Sequence, residues 1–222
     1  MGTDGSDSAD RAVAHAAWLA GAVGAELLVS HAFGGQDDPE EGRNVGASVL
    51  RDACARIGTS PSPKAVLRQG DAADALVSVA REEDADLIVV GNRGLSGRRV
   101  LMGTVPAKVT GRSPCDVLVV HTTDSREPGC ARVLIGTDGT DTANRAEARG
   151  SALAQALEAE ADVLQVTDEE PAEGLVHAAA ERGADLIVIG NKGITGARRF
   201  LTSVPSRVAR GARCHVLLVK TT

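Results

Sequence analysis

Two loops in this sequence set glycines, basic residues and a hydroxyl at nearly the same spacing. They are GNRGLSGRRVLMGTVP, from Gly91 to Pro106, and GNKGITGARRFLTSVP, from Gly190 to Pro205. Each follows a short aliphatic run, DLIVVG or DLIVIG, of the kind that forms a strand buried on both faces. The first strand then ends at Val90, and Gly91 and Gly94 allow backbone geometries and close approach that a side chain would forbid. The segment TVPAKVTG reads as a short helix, whose free N–H groups near Thr104 and Val105 would face an anion with help from the helix dipole. The Thr104 hydroxyl adds a donor, and Arg93, Arg98 and Arg99 add positive charge. This chemistry suits a phosphate cradle built mostly from backbone. A second motif, GTDG at Gly2–Gly5, puts Asp4 at the carboxyl end of a strand, where its carboxylate can accept bonds from a base or a ribose. The plainer alternative is a tight strand–loop–helix connection with solvated arginines.

Other chemistries find less in the sequence. There is no GxxxxGK[ST] loop, no GxGxxG after a strand and no GxSxG elbow. His15, His31, His121, His177 and His215 show no repeated metal-ligand spacing and read as structural or exposed. Asp4, Asp7 and Asp10 read as helix N-terminal charge rather than a metal site, with Mg2+ expected only in company with a nucleotide. No nucleophile–base–orienter set recurs, so no catalytic residue and no enzymatic turnover is expected.

The elements that must position the loops come in two copies. Residues 2–12 match residues 136–146 at 8 of 11 positions, and residues 85–106 match residues 184–205 at 12 of 22. CDVLVVHTT (Cys115–Thr123) matches CHVLLVKTT (Cys214–Thr222). Three matches in one order mean duplication. The expected organisation is a first lobe over 1–123, a linker over 124–131 and a second lobe over 132–222. The offset falls from 134 to 99 between the first two matches, so the second copy is 35 residues shorter there. ADVLQVTD (Ala161–Asp168) stands where the first copy has two strands (Leu27–Ala32 and Lys64–Arg68) and a helix near Val45–Ile57. Helices are also expected over Ala9–Val23, capped by Ser6 or Ser8, and over Ala73–Ala80. Alternating strands and helices imply an α/β fold with a parallel, doubly wound sheet and right-handed crossovers. Ligands of such sheets sit off the carboxyl ends of the strands, where both shared motifs lie.

Composition agrees. Trp18, Phe33 and Phe200 are the only aromatics besides histidine, so the core must be Val, Ile, Leu and Ala. A net charge of −6 argues against a general nucleic-acid binder, and no apolar run reaches the roughly 18 residues of a membrane span. Cys54, Cys115, Cys130 and Cys214 lack CxxC spacing and read as buried, reduced thiols. A cytoplasmic protein is expected.

GTDGSDSADRAV, ADLIVVGNRGLSG…GTVP and CDVLVVHTT together resemble the universal stress protein family, here as a tandem pair over nearly the whole chain. The resemblance implies two Rossmann-like lobes of strand order 3-2-1-4-5, with ATP or a related adenine nucleotide bound by motif-bearing members, in a regulatory role in the stress response. Carried over, Thr3 and Asp4 would meet the adenosine, Ala32 would flank the base, and Val90 and Gly91 would contact the nucleotide by backbone. Arg93, Gly94, Gly103, Thr104 and Val105 would hold ribose and phosphates. The second-copy counterparts are Thr137, Asp138, Gly190, Lys192, Gly193, Ser203 and Val204. Cyclic AMP is an alternative ligand, since the opening and the ending resemble actinobacterial members. A ligand-free dimerisation module and a slow ATPase are the remaining alternatives. In the family the last strand pairs across a dimer, so the two copies are expected to form an intramolecular pseudo-two-fold pair, with a homodimer as the other arrangement.

This sequence departs from the family at three places. Eight residues, Leu95–Met102, separate Gly94 from Gly103 where the family motif has nine, and Ile194–Leu201 is also eight. Thr202 replaces the glycine before Ser203, and its Cβ should crowd a phosphate, so the second site is expected to be degenerate. Finally, RVLI (Arg132–Ile135) leads into the second GTDG, whereas Met1 alone precedes the first. By the repeat, three more strand residues belong before Met1, in a strand central to the sheet. The expected explanation is a start assigned too late.

Overall fold

Among the described residues, fifteen elements follow the alternation that the sequence anticipates. In the first repeat they are α1 (Asp7–Val23), β1 (Leu28–Phe33), α2 (Pro39–Ile57), β2 (Lys64–Gln69), α3 (Ala72–Glu82), β3 (Leu87–Gly91), α4 (Thr104–Thr110) and β4 (Asp116–Val120). The second repeat has β5 (Arg132–Thr137), α5 (Asp141–Ala156), β6 (Glu160–Gln165), α6 (Pro171–Glu181), β7 (Leu186–Asn191), α7 (Val204–Gly211) and β8 (His215–Lys220). The computed structural model describes residues 1–34, 39–58, 62–92, 104–123, 127–166, 170–191 and 203–221. Among these, no helix is long and apolar enough to cross a membrane.

Local chemistry sets the helix ends. Ser6 caps α1 by accepting the Ala9 N–H, and Asp7 and Asp10 favour the positive end of the helix dipole. Gly24 stops α1 in a left-handed conformation, φ 66°. Asp71 caps α3 through the N–H groups of Ala73 and Asp74. The continuous aliphatic runs become the strands with both faces covered. Leu134, Ile135, Ile187 and Val188 are each at most 1% exposed, and burying each stabilises the fold by about 1.5–3 kcal/mol.

The sheets divide unevenly. Six strands form one sheet in the order β3-β4-β8-β7-β5-β6, while β1 and β2 form a separate parallel pair. The second repeat runs β6-β5-β7-β8, which is the doubly wound order with its outermost strand missing. β6 takes the place of the first repeat's β1 beside the strand that leads into GTDG, with Gly136 registering against Leu164. β4 and β8 pair antiparallel, Leu118 against Leu217, so strands of both repeats share one sheet. An ion pair between an exposed arginine and a buried carboxylate supports this junction: Arg149 Nε lies 3.0 Å from Asp116 Oδ2, while Asp116 Oδ1 accepts the Lys220 N–H. The second repeat has no counterpart of α2, which packs on β1 and β2 in the first. β6 is correspondingly bare, with Val163 44% exposed.

In the first repeat, Met1–Thr3 occupies only one end of the central strand position. Gly2 donates its N–H to the Val89 carbonyl, Thr3 donates to Ser30, and Ser30 donates to Met1. These bonds and the isolated Gly2–Ser30 bridge link β1 to β3. Beyond them lies a cavity of about 750 Å3 whose wall includes Met1, Leu28, Leu87 and Val89. The Met1 ammonium is enclosed there, donates to the Leu28 carbonyl at 2.9 Å, and is pushed down by burial to about 6.

The carboxyl ends of β3 and β4 are tied by a buried amide. Asn92 Oδ1 accepts both the N–H and the hydroxyl of Thr122, at 3.1 and 2.8 Å. Ser8 Oγ lies 2.6 Å from the same hydroxyl, and Arg11 donates to the Thr122 carbonyl. Replacing Asn92 with Ala strands the buried Thr122 N–H and leaves its hydroxyl only Ser8, so urea unfolding should show a loss of about 1–3 kcal/mol. A loss near zero would mean that the tie does not hold the strand ends.

The buried amine gives a pH signature. Its folded-state value of about 6 lies below the ordinary 8.0, so between these pH values the unfolded chain binds more protons. Stability should therefore rise as pH goes from about 6 to 8, by on the order of 2 kcal/mol. N-terminal acetylation should remove this rise, as measured by urea unfolding across that range. An unchanged rise would assign the effect to other groups.

Candidate functional site

The GTDG turn has the same internal bonding in both repeats. The Gly5 N–H donates to Thr3 Oγ1 at 3.2 Å, and Asp4 Oδ1 accepts the Ser6 N–H and hydroxyl at 3.1 and 2.6 Å. Around Thr137, Asp138 and Thr140 the corresponding distances are 3.2, 3.1 and 2.6 Å. Gly5 and Gly139 sit at φ 76° and 75°, a backbone state that suits glycine. One oxygen of Asp4 and one of Asp138 are therefore engaged in building the turn. Gly2 and Gly136 answer a different demand. A Cβ there would fall 3.0 Å from Leu76 or 2.7 Å from Leu175, so each glycine lets its strand approach the helix behind it.

In the first repeat, parallel pairing brings these residues to one edge. Thr3 is buried and donates to Ser30, two residues before half-buried Ala32 near the end of β1. His31, read from sequence as structural or exposed, has its Nδ1 2.9 Å from the Thr3 carbonyl and so fixes the turn to β1. Val90 sends its side chain into the core with Leu76 and Val109, which leaves its backbone at the edge beside half-buried Gly91. α4 opens with exposed Thr104 and half-buried Val105. It is anchored to α3 by Lys108, whose Nζ is 2.8 Å from Asp71 Oδ2, and by the Arg112–Asp74 ion pair. The Lys108 hydrogen bond holds the Asp71 carboxyl below the usual carboxylate range. Arg93, Gly94 and Gly103 lie outside the described residues, as do Lys192 and Gly193.

The second repeat differs at the same edge. Gly190 is closely covered, since a Cβ there would lie 3.3 Å from the Thr142 carbonyl oxygen and 3.5 Å from Ala146. Half-buried Ser203 caps α7 by accepting the Ser206 N–H, and Val204 is half-buried beside it. Thr137 is half-buried and Asp138 exposed. Asn191 Oδ1 and Ser206 Oγ are buried with no hydrogen-bond partner among the described residues.

Two sequence readings need amendment. The cysteines are half-buried rather than fully buried; all four are free thiols, and burial pushes Cys130 up to about 11. The histidines are less scattered than their spacing suggests. His15 and His215 meet edge to face with ring centroids 4.3 Å apart, and the His121 N–H donates to His215 Nδ1. These three line a small cavity of about 210 Å3 with Cys130 and Cys214. Spacing could not reveal this cluster because its members come from both repeats. Among the described residues no group of three His, Cys, Asp or Glu side chains is placed to hold a metal.

Asn92 and Thr122 also escaped the sequence reading of the site. Their signal was present: each stands in a repeated stretch, GN before the loop and TT after the last strand.

Comparison with known proteins extends this picture. The family model described as the universal stress protein family matches residues 1–121 and 166–220. A universal stress protein of Mycobacterium tuberculosis is 43% identical over 145 residues, covering 55% of this chain and 94% of the relative. One from Thermus aquaticus is 39% identical over 128 residues, covering 53% and 93%. Among solved structures, a universal stress protein of Archaeoglobus fulgidus aligns over 99% of this chain and 94% of its own, with TM-score 0.80 and 17% identity, a likeness of fold. A universal stress protein in complex with cAMP is 40% identical over 55% of this chain and 95% of its own, with TM-score 0.47. The matched segments span the GTDG turn, the strand before each glycine loop and both final strands, so the chain belongs to the universal stress protein family.

Proposed function

We propose that this protein binds an adenine nucleotide, ATP, in its first repeat and acts in the cytoplasm as a binding regulator of the stress response rather than as an enzyme. The observation that carries the reading is the Thr3–Ser6 turn, tied to β1 through Ser30 and His31 and to β3 through Gly2 and Val89. It stands at the carboxyl ends of parallel strands, where sheets of this kind bind ligands. Family membership supports the same residues: Thr3, Asp4 and Ala32 toward the adenosine, Val90 and Gly91 by backbone, and Arg93, Gly94, Gly103, Thr104 and Val105 toward ribose and phosphates. Mg2+ would arrive held by the phosphates. The second site is the weaker one, with Gly190 covered and Thr202 in place of the glycine before Ser203.

The direct test is to identify by mass the nucleotide released when the purified protein is denatured, and to measure thermal shifts with millimolar ATP and cyclic AMP. ATP release or an ATP-dependent shift is expected. A shift with cyclic AMP alone would replace the ligand, and no response to either would leave a ligand-free module. Gly94→Val should abolish the nucleotide shift while barely moving the ligand-free melting temperature, and Gly193→Val should leave the shift intact. Equal losses from both would refute a single working site.

The antiparallel β4–β8 pairing supports a further part of the proposal. The two repeats act as a pseudo-two-fold pair, so one chain builds internally what a dimer builds from two. Sedimentation equilibrium should then give a monomer of 22.7 kDa. A concentration-independent dimer would show that another edge associates.

A further inference from the structure

We propose that Asn92 is a ligand-binding residue of the first site, whose side-chain NH2 donates to a phosphate oxygen; this deepens the nucleotide reading above and rests on it. Asn92 stands between Gly91 and Arg93 and is only 5% exposed. Its N–H donates to the Val120 carbonyl, which extends the β3–β4 pairing by one residue at the carboxyl edge. Hydrogen bonding fixes which end of its amide is the oxygen. The Thr122 N–H can only donate, so the atom facing it at 3.1 Å is Oδ1, which also accepts the Thr122 hydroxyl at 2.8 Å. The NH2 is thereby held as the opposite end of a pinned group. Among the described residues nothing accepts a hydrogen bond from it. Nor is it sealed in the core, since the buried polar side-chain atoms without a partner among the described residues are Asn191 Oδ1 and Ser206 Oγ. A rigid donor with two hydrogens therefore stands open at the end of β3, on a residue that is otherwise enclosed.

The second repeat uses the same residue differently. The offset of 99 places Asn191 at the position of Asn92, and Thr221 at that of Thr122. Thr221 donates its N–H and its hydroxyl to the Asn191 main-chain carbonyl, at 3.3 and 3.2 Å, rather than to the side chain. Asn191 Nδ2 donates at 3.4 Å to the carbonyl of Thr110, the last residue of α4. Its donor is thus taken up inside the molecule, and its oxygen is the orphan. Only the first repeat offers a free NH2 at this edge among the described residues. The side of β3 on which it lies selects the part of the ligand it meets. β3 has the Met1–Thr3 segment on one side and β4 on the other. The Asn92 side chain is tied to Thr122, just past β4, whereas Thr3, Asp4 and Ala32, assigned above to the adenosine, lie across β3. The NH2 is therefore at the phosphate end, where charged oxygens are the strongest acceptors.

The test separates the two ends of the amide. Asn92→Asp keeps an oxygen for both Thr122 bonds and replaces the NH2 with a second oxygen. Its ligand-free melting temperature should stay within about 3 °C of the parent chain. Isothermal titration should show the affinity for ATP reduced roughly 10- to 100-fold and the affinity for adenosine unchanged. Undiminished ATP binding, or an equal loss for adenosine, would overturn the phosphate contact. A second measurement needs no variant. In the 15N-labelled parent chain, ATP and inorganic tripolyphosphate should each shift the NMR signal of the Asn92 side-chain NH2, while the Asn191 NH2 stays in place. If the parent binds neither ATP nor adenosine but tripolyphosphate shifts this NH2, the nucleotide reading falls and the phosphate donor stands. An NH2 signal that neither ATP nor tripolyphosphate moves would overturn the inference.

Discussion

Four main-chain hydrogen bonds carry the first repeat: Met1 to Leu28, Gly2 to Val89, Thr3 to Ser30 and Ser30 to Met1. They are the main-chain link between the β1–β2 pair and the six-stranded sheet. Everything at the carboxyl edge inherits its geometry from them, because the GTDG turn begins at Thr3 and must reach both β1 and the glycine loop after β3. The His31 ring adds a fifth hold by meeting the Thr3 carbonyl. A central strand normally spreads such bonds along five or six residues; here the same task falls on three.

The described residues of the two repeats differ in which strands they hold, and the differences have different consequences. The second keeps its central strand and gives up the outer strand and the helix that would cover it. That leaves β6 mostly exposed, an edge defect that costs little because water can satisfy its backbone. The first keeps its outer elements and lacks most of the centre, where the alternative to pairing is a cavity. Shared structure offsets this asymmetry. β4 and β8 join the sheets, the Arg149–Asp116 pair crosses between repeats, and one continuous apolar cluster draws on α1 and β1 as well as β5, β7 and β8. The cluster puts Leu19 and Leu27 of the first repeat in the same core as Val133 and Leu186 of the second.

Much of this was legible in the residues. The aliphatic runs at Leu87 and Leu186 are strands because β-branched and long apolar side chains fill both faces of a parallel sheet. The Ser6 cap follows from a hydroxyl placed before an alanine-rich periodic segment, and the shortened second copy from the change in offset. The cross-repeat features were not legible. Neither the His15–His215 contact nor the Arg149–Asp116 pair has a local pattern, since each depends on how one repeat docks on the other. Nor does spacing show that His31 serves Thr3, because that requires knowing which strand lies beside the turn. The loop glycines and arginines at 93–103 and 192–202 carry a sequence argument only, as they lie outside the described residues.

The GTDG turn separates two kinds of cause. Its internal distances agree to within 0.1 Å between repeats, although one turn follows a complete strand and the other follows a single residue. The shape of the turn must therefore come from local chemistry: the Thr hydroxyl, the Asp carboxylate, the positive-φ glycine and the capping hydroxyl that starts the helix. Its position is a different matter. Only pairing on both sides can hold it at a set distance from the carboxyl ends of β1 and β3. Binding needs both shape and position, since a donor set displaced by an ångström loses the alignment on which its hydrogen bonds depend. In the second repeat position is secured by β5, but the loop chemistry departs from the motif. In the first the loop chemistry is closer to the motif, and position rests on the short seam at Met1–Thr3.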